Sequence, residues 1–203
     1  MIIKGKYRIA RRLGAPIFEK TQTQKFALSA QRKLKVKRNS KPKQKTDYGM
    51  QFNEKQKARF TYIVNERQFN NYVKAALAEK GKSTQILFEK LELRLDNALS
   101  RIGLAKTRLH ARQIVNHGHI RVNGKKVDIP SYHLKIGDKI SIREGSLKKP
   151  IFANLAERLA DVKTPSWINF NLEKNVGEVL GLPKPENQEL MFNLGAVIEF
   201  YSR

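Results

Sequence analysis

The chain has 203 residues, enough to bury a real core as one large or two small domains. Its 41 lysines and arginines against 18 acidic residues leave a net charge of +23, which implies a polyanionic partner. No cysteine is present, which excludes disulfides, thiol catalysis and thiolate metal sites, and no apolar run is long enough for a bilayer span or signal peptide, so a cytosolic or organellar protein is expected.

Charge is uneven along the chain. Residues 1–45 carry 15 basic and 1 acidic residue, 46–90 carry 8 and 5, 91–150 carry 13 and 5, and 151–203 carry 5 and 7. The first segment is poor in apolar residues and rich in cations, among them Arg8, Arg11, Arg12, Lys43 and Lys45. It reads as a basic extended arm that cannot build a core alone and orders against phosphates. A solvated tail and a targeting peptide are the competing readings.

Residues 46–90 read as the first part of a helical domain. Asn53 with Gln56 and Asn65 with Gln68 each resemble a capping box, which predicts two helices in a hairpin. On the second, Phe69, Tyr72, Val73, Ala76 and Leu77 form a core stripe that Gly81 closes. On the first, Lys55 and Arg59 share a face, with Lys57 to the side; phosphate contact and a solvated face are equally open. Another helical pattern begins at Ser83 or Thr84 and runs on past Leu91, with a break near Leu93.

Residues 91–150 form a helix-helix-hairpin unit. Leu91, Leu95, Ala98, Leu99 and Ile102 give one apolar helical face, stopped by Gly103. Thr107 caps a second helix whose inner face is Ala111, Ile114 and Val115, with Gly118 at its end. Ile120 and Val122 alternate with polar residues up to the Asn123-Gly124 hairpin signal, Val127 and Ile129 continue beyond it, and Ile140 and Ile142 supply a further strand. Helices combined with a small antiparallel sheet make the fold class α+β. Beyond Pro150, Leu155, Leu159 and Val162 suggest a helix ending before Pro165, Trp167 and Ile168 look buried, 175–185 is loop-rich, and Val197 to Tyr201 reads as a short strand. This mildly acidic tail, 151–203, is expected to pack against the body of the fold or face a basic partner protein.

The basic positions of the unit avoid its apolar stripe. Arg94, Asn97 and Arg101 are spaced to share the face opposite the leucines, and Arg108 and Arg112 lie one turn apart on the second helix. Lys106 in the turn and Arg121, Lys125 and Lys126 on the hairpin extend the same basic surface, while His117 and Tyr132 offer stacking or hydrogen bonds. Guanidinium groups suit phosphate because their planar fork donates two parallel hydrogen bonds. A DNA-reading helix-turn-helix fits the same pair of helices; the hairpin and basic arm fit structured RNA better. His110, His117, His119 and His133 lack the thiolates or carboxylates a zinc site needs, Gly103 belongs to no phosphate-loop spacing, and Asp96 reads as the salt-bridge partner of Arg94 or Arg101. Neither a metal, a cofactor nor a catalytic residue is therefore expected, and the chain reads as a non-enzyme.

Several motifs resemble the family of the fourth small-subunit ribosomal protein. They are Leu93-Arg94-Leu95-Asp96-Asn97, the run from Ala111 to Ile120, Val122-Asn123-Gly124 and Asp128-Ile129-Pro130-Ser131-Tyr132, flanked by Asp47-Tyr48-Gly49-Met50-Gln51, Glu54 to Lys57, Pro165-Ser166-Trp167 and Glu199-Phe200-Tyr201-Ser202. The resemblance implies a bacterial or organellar small-subunit protein that binds rRNA at a multi-helix junction early in assembly. It also implies contact with a neighbouring small-subunit protein, an influence on decoding accuracy, and a position beside incoming messenger RNA. It implies that the RNA-binding module is inserted into a helical domain to which the C-terminal segment returns. By matching position it assigns RNA contact to Tyr48, Lys55, Lys57, Arg94, Arg112, Gln113, His117, Asn123, Ser131 and Tyr132. Some relatives carry a cysteine zinc knuckle near the N-terminus, which this chain lacks. An RNA-modifying enzyme carrying the same module is the alternative, although about fifty residues beyond the module leave little room for a catalytic domain.

Overall fold

The computed structural model describes residues 3–36, 46–153, 155–160, 162, 164–172, 174–185 and 190–202. In chain order, helices α1 (Lys6–Leu13), α2 (Gln24–Val36), α3 (Asp47–Thr61), α4 (Glu66–Ala78), α5 (Ser83–Glu92), α6 (Leu95–Ile102) and α7 (Arg108–Asn116) precede strands β1 (Ile120–Val122), β2 (Lys125–Val127) and β3 (Lys139–Ile142). Then come α8 (Glu144–Leu147), α9 (Leu155–Ala160), β4 (Ile168–Asn171), β5 (Val176–Val179) and α10 (Leu194–Tyr201). Two compact units emerge, one discontinuous (Met1–Thr84 with Gln188–Arg203) and one contiguous (Gln85–Asn187).

In the discontinuous unit, the N-terminal segment departs from its reading as an extended arm. Ala10, Leu13, Ala15, Ile17, Phe18 and Phe26 are buried together, with Ile3, Ile9 and Phe60 packed against them. Arg8, Arg11 and Arg12 of α1 stand outward while Ala10 and Leu13 point in. High net charge hid an amphipathic helix, and the few apolar residues present suffice for a small core. Lys43 and Lys45 lie outside the described residues.

Helix α3 begins six residues before the Asn53 signal, because the Thr46 hydroxyl accepts a hydrogen bond from Gly49 N and nucleates the helix there. The Asn65 cap is as read, its side chain accepting from Gln68 N at 2.7 Å. Leu77 of the predicted stripe is 40% exposed, whereas Phe69, Val73 and Ala76 are buried.

The C-terminal residues 194–201 are helical rather than a strand: Asn193 caps them by accepting from Ala196 N. The β-branched pair Val197-Ile198 favours strand locally, but packing of Phe200 on Tyr48 and Phe52 of α3, and of Tyr201 on Phe69 of α4, overrides it.

The contiguous unit packs α6 and α7 on a five-stranded antiparallel sheet of order β2-β1-β3-β5-β4. Asn123 (φ 50°) and Gly124 (φ 78°) both occupy left-handed backbone, the conformation a two-residue hairpin turn demands, and pair Val122 with Lys125. The break near Leu93 is real: α5 stops at Glu92 and α6 restarts at Leu95, so Leu91 lies on a different helix from Leu95. Residues 168–179, read in part as loop, supply two strands, with β5 pairing β3 and leaving Gly177 opposite Ile140. Trp167, Ile168 and Val179 join the same core as Leu95, Ile114 and Ile140. The segment read as packing on the helical domain is thus split: β4 and β5 complete the module's sheet, and α10 belongs with the helical unit.

Gly103 shows how α6 is closed. It has φ +90°, and a Cβ there would lie 2.8 Å from Val162 Cγ2 and 3.0 Å from Leu159 Cδ2. Gly103→Ala is therefore expected to destabilise the chain by more than about 1 kcal/mol in urea unfolding, through strain and overlap together.

Candidate nucleic-acid interface

The predicted basic face of the module divides into two layers. Arg94 is fully buried: its Nε donates to Asp96 Oδ1 at 3.0 Å and its Nη2 to Asp96 Oδ2 at 2.6 Å. Asn97, 1% exposed, donates to the Glu92 carbonyl and to Glu92 Oε2, while Arg101 grips the fully buried Glu92 carboxylate through Nε and Nη2 at 2.9 and 2.7 Å. Arg94 and Asn97 thus do not form an exposed basic face. The sequence reading placed them opposite the leucines, but α5 and the chain from Pro130 to Leu134 cover that side: Leu95 N donates to Tyr132 O, Asp96 N to Pro130 O and Leu134 N to Leu93 O. Two buried carboxylates, inconspicuous in a basic protein, are what organise these cations. They are the functional positions that charge counting passes over, although Asp96 was legible as a salt-bridge partner.

The outer layer grows from this network. Arg108 Nε donates to Asn97 Oδ1 at 2.7 Å, and Arg112 Nη1 reaches Asp96 Oδ2 at 3.5 Å, so both guanidiniums on α7 are held by buried groups while remaining partly exposed. Thr107 starts α7 by accepting from His110 N. Gln113 and His117 lie exposed further along the helix, and Lys106 is exposed in the turn before it.

The hairpin is brought alongside. Lys126 runs across Gly118 so closely that a Cβ there would overlap Lys126 Cε. Lys125 and Lys126 are exposed, and the half-exposed Arg121 lies 3.4 Å from Glu144 Oε1. The backbone bonds from Leu95 and Asp96 fix Ser131 and Tyr132 beside the start of α6, with Tyr132 36% exposed. Asn123 is exposed, yet its side chain bonds Asp138 Oδ1 and Lys139 N, which ties its amide to the hairpin. Lys135, Lys139 and Arg143 are exposed cations of the same unit that the periodicity argument did not single out.

The four histidines do not converge; among the described residues no group of three His, Asp or Glu side chains is placed to hold a metal. His119 is buried with Nδ1 2.9 Å from Ser146 Oγ. Burial first, then the charges of Lys149, His117 and Arg143, lower its pKa below the ordinary histidine value. Because the unfolded chain takes up this proton more readily, the stability contributed by neutral His119 is present above about pH 6.5 and lost as pH falls below it. A urea midpoint that drops between pH 7.5 and 5.5, and drops less in His119→Gln, is the expected result.

In the helical unit, Tyr48 is 56% exposed, whereas Lys55 is buried. Lys55 Nζ lies 2.6 Å from Glu66 Oε1 and 4.8 Å from the ring centroids of both Phe52 and Phe200. Lys57 pairs with Glu54 and Arg59 with Glu66. Burial raises the Glu66 pKa, but hydrogen bonds from Lys55 and Tyr201 and the charges of Lys55 and Arg59 outweigh it and leave it lowered; burial and the bond to Glu66 raise that of Tyr201. These three cations thus serve the fold of α3 and α4, and the open face predicted for Lys55 is closed by aromatic rings. Arg8, Arg11 and Arg12 are exposed on α1.

Residues 93–140, which hold Lys106, the cations of α7 and those of the β1–β2 hairpin, match the S4 domain, and residues 2–92 match the Ribosomal protein S4/S9 N-terminal domain. The chain is 41% identical over 201 residues to small ribosomal subunit protein uS4 of Roseiflexus sp. strain RS-1, covering 97% of this chain and 96% of that one. This chain belongs to the uS4 family. The uS4 protein of Acetivibrio thermocellus is 38% identical over 97% of this chain and 96% of its own, and that of Chloroflexus aurantiacus strain J-10-fl is 44% identical over 79% of each. As a uS4 protein the chain is a structural, non-enzymatic component of the small ribosomal subunit, which closes the modifying-enzyme reading.

Proposed function

We propose that this chain binds small-subunit rRNA at a multi-helix junction, nucleates assembly there and contributes to decoding accuracy. One observation supports the reading above the rest: buried Glu92, Asp96 and Asn97 anchor Arg101, Arg112 and Arg108, and the exposed lysines of the β1–β2 hairpin belong to the same unit. Preset guanidinium forks beside the flexible lysines Lys106, Lys125 and Lys126 suit the fixed phosphate spacing of folded RNA. Gln113, His117, Ser131 and Tyr132 add groups able to meet bases or riboses.

A protein neighbour is assigned to the helical unit. Asp47, Glu54 and Glu199 line a cleft of about 940 Å³ with Met50 and Met191, both over 40% exposed. Phosphate is repelled there, and methionines adapt to a partner's side chains. That neighbour, a basic segment of another small-subunit protein, and nearby messenger RNA complete the environment of a cytoplasmic ribosome.

Sucrose-gradient fractionation and crosslinking test the assignment. The chain is expected to sediment with small subunits, the module crosslinking to rRNA and residues 47–54 and 190–199 to protein. A free pool absent from small subunits would overturn it, and crosslinks of the acidic cleft mainly to RNA would overturn the protein contact.

A further inference from the structure

The small core of the N-terminal helices encloses an open apolar cavity of about 540 Å³. Ala15, Pro16, Phe26, Ala27 and Ala30 contribute apolar wall, and Gln22 and Gln24 stand at one side with exposed side chains. Arg11 also lines it, its guanidinium 5.9 Å from the Phe26 ring centroid, and the half-exposed Tyr7 ring lies 5.9 Å from the same ring. Arg8 and Arg12 on the same helix as Arg11, and Lys25 and Arg32 on α2, are exposed.

We propose that this cavity receives one unstacked nucleobase of the bound rRNA, with the adjoining phosphates held by Arg8, Arg11 and Arg12. The inference rests on the rRNA-binding reading above and adds a second site outside the module. Its size falls in the range of small-ligand pockets, roughly 300–1,000 Å³. An apolar, aromatic-floored hole alone would accept a protein side chain equally well; Arg11 in its lining, on a helix that also exposes Arg8 and Arg12, decides. A nucleotide supplies a flat apolar ring and an anion within one residue, which matches apolar walls beside Arg11. A basic protein segment, by contrast, meets like charge at the mouth. Stacking on an aromatic face tolerates any base, and the amides of Gln22 and Gln24 carry both donors and acceptors for its edge.

The test uses the full chain and an rRNA junction fragment, with affinity measured by filter binding at several salt concentrations and base accessibility by chemical probing. Ala27→Leu and Ala30→Leu fill the cavity from α2 without touching an arginine. Each is expected to weaken binding about tenfold and to expose a single unpaired base that the wild type protects, leaving the other protections and the salt slope in place. Leu28→Ser, at an exposed position of α2 that does not line the cavity, should bind as wild type. A benzophenone amino acid in place of Ala27, in native small subunits, should crosslink to rRNA; this arm stands even where a filling variant folds poorly. Unchanged affinity and protections in folded Ala27→Leu and Ala30→Leu, or a crosslink to protein, would overturn the proposal. If the wild type itself fails to bind the fragment in a salt-dependent way, the failure belongs to the rRNA-binding reading instead.

Discussion

Arg94→Ala is expected to destabilise the chain by about 3–5 kcal/mol, the cost of leaving one member of a buried ion pair alone. The Asp96 carboxylate, 3% exposed, would lose both bonds of its 3.0 and 2.6 Å fork, while Arg112 approaches it at 3.5 Å. Lysine would not rescue it, because an ammonium cannot donate two parallel bonds. Urea unfolding followed by fluorescence reads this out directly, since the chain's one tryptophan, Trp167, lies in the core of the same unit. Binding separates the roles: in folded protein Arg94→Ala should leave the salt dependence of rRNA binding unchanged. A variant within 1 kcal/mol of wild type with a shallower salt slope would return Arg94 to the list of phosphate contacts.

The outer layer predicts the opposite pattern. Replacing Lys106, Lys125 and Lys126 by alanine should leave the urea midpoint nearly fixed, since all three side chains are exposed. Affinity for the junction RNA should nonetheless fall, and the slope of log K against log salt should lose roughly 0.7–0.9 for each lysine that neutralises a phosphate. A protein making roughly six to ten phosphate contacts loses about 10³–10⁵ in affinity between about 50 and 200 mM salt, and a loss of that order is expected for the wild type. A triple variant with unchanged slope would place the interface elsewhere on the molecule. Arg108→Ala and Arg112→Ala fall between the two patterns, because each guanidinium is anchored inside and partly open outside.

Much of the module was readable because its signals are local. Thr107, Gly103, Gly118 and Asn123-Gly124 each fix backbone geometry within a few residues, and the structure places helix ends and hairpin where they indicate. What escaped depends on distant partners. Helical spacing put Arg94 and Asn97 opposite the leucines, yet nothing in that spacing reveals that residues 130–134 lie over them. The same limit hid the burial of Lys55 beneath Phe200, 145 residues further along, and turned the strand-like Val197-Ile198 into helix. In the N-terminal segment charge density outweighed the few apolar residues in the reading, although Ala10, Leu13, Ile17, Phe18 and Phe26 were visible as a sparse set.

The discontinuous unit also bears on how the protein is made. Gln51 of α3 donates to Glu199 of α10 across 148 residues, and the ring of Phe200 covers Tyr48 and Phe52. During synthesis α3 emerges long before the helix that covers it, with Gln85–Asn187 translated in between. The contiguous unit therefore has all its strands and helices available while its host is still incomplete, and long-range closure of this kind is the slow step in folding. Until then the aromatic face of α3 lacks the rings that cover it, and the helical unit is completed only when its last-made helix arrives.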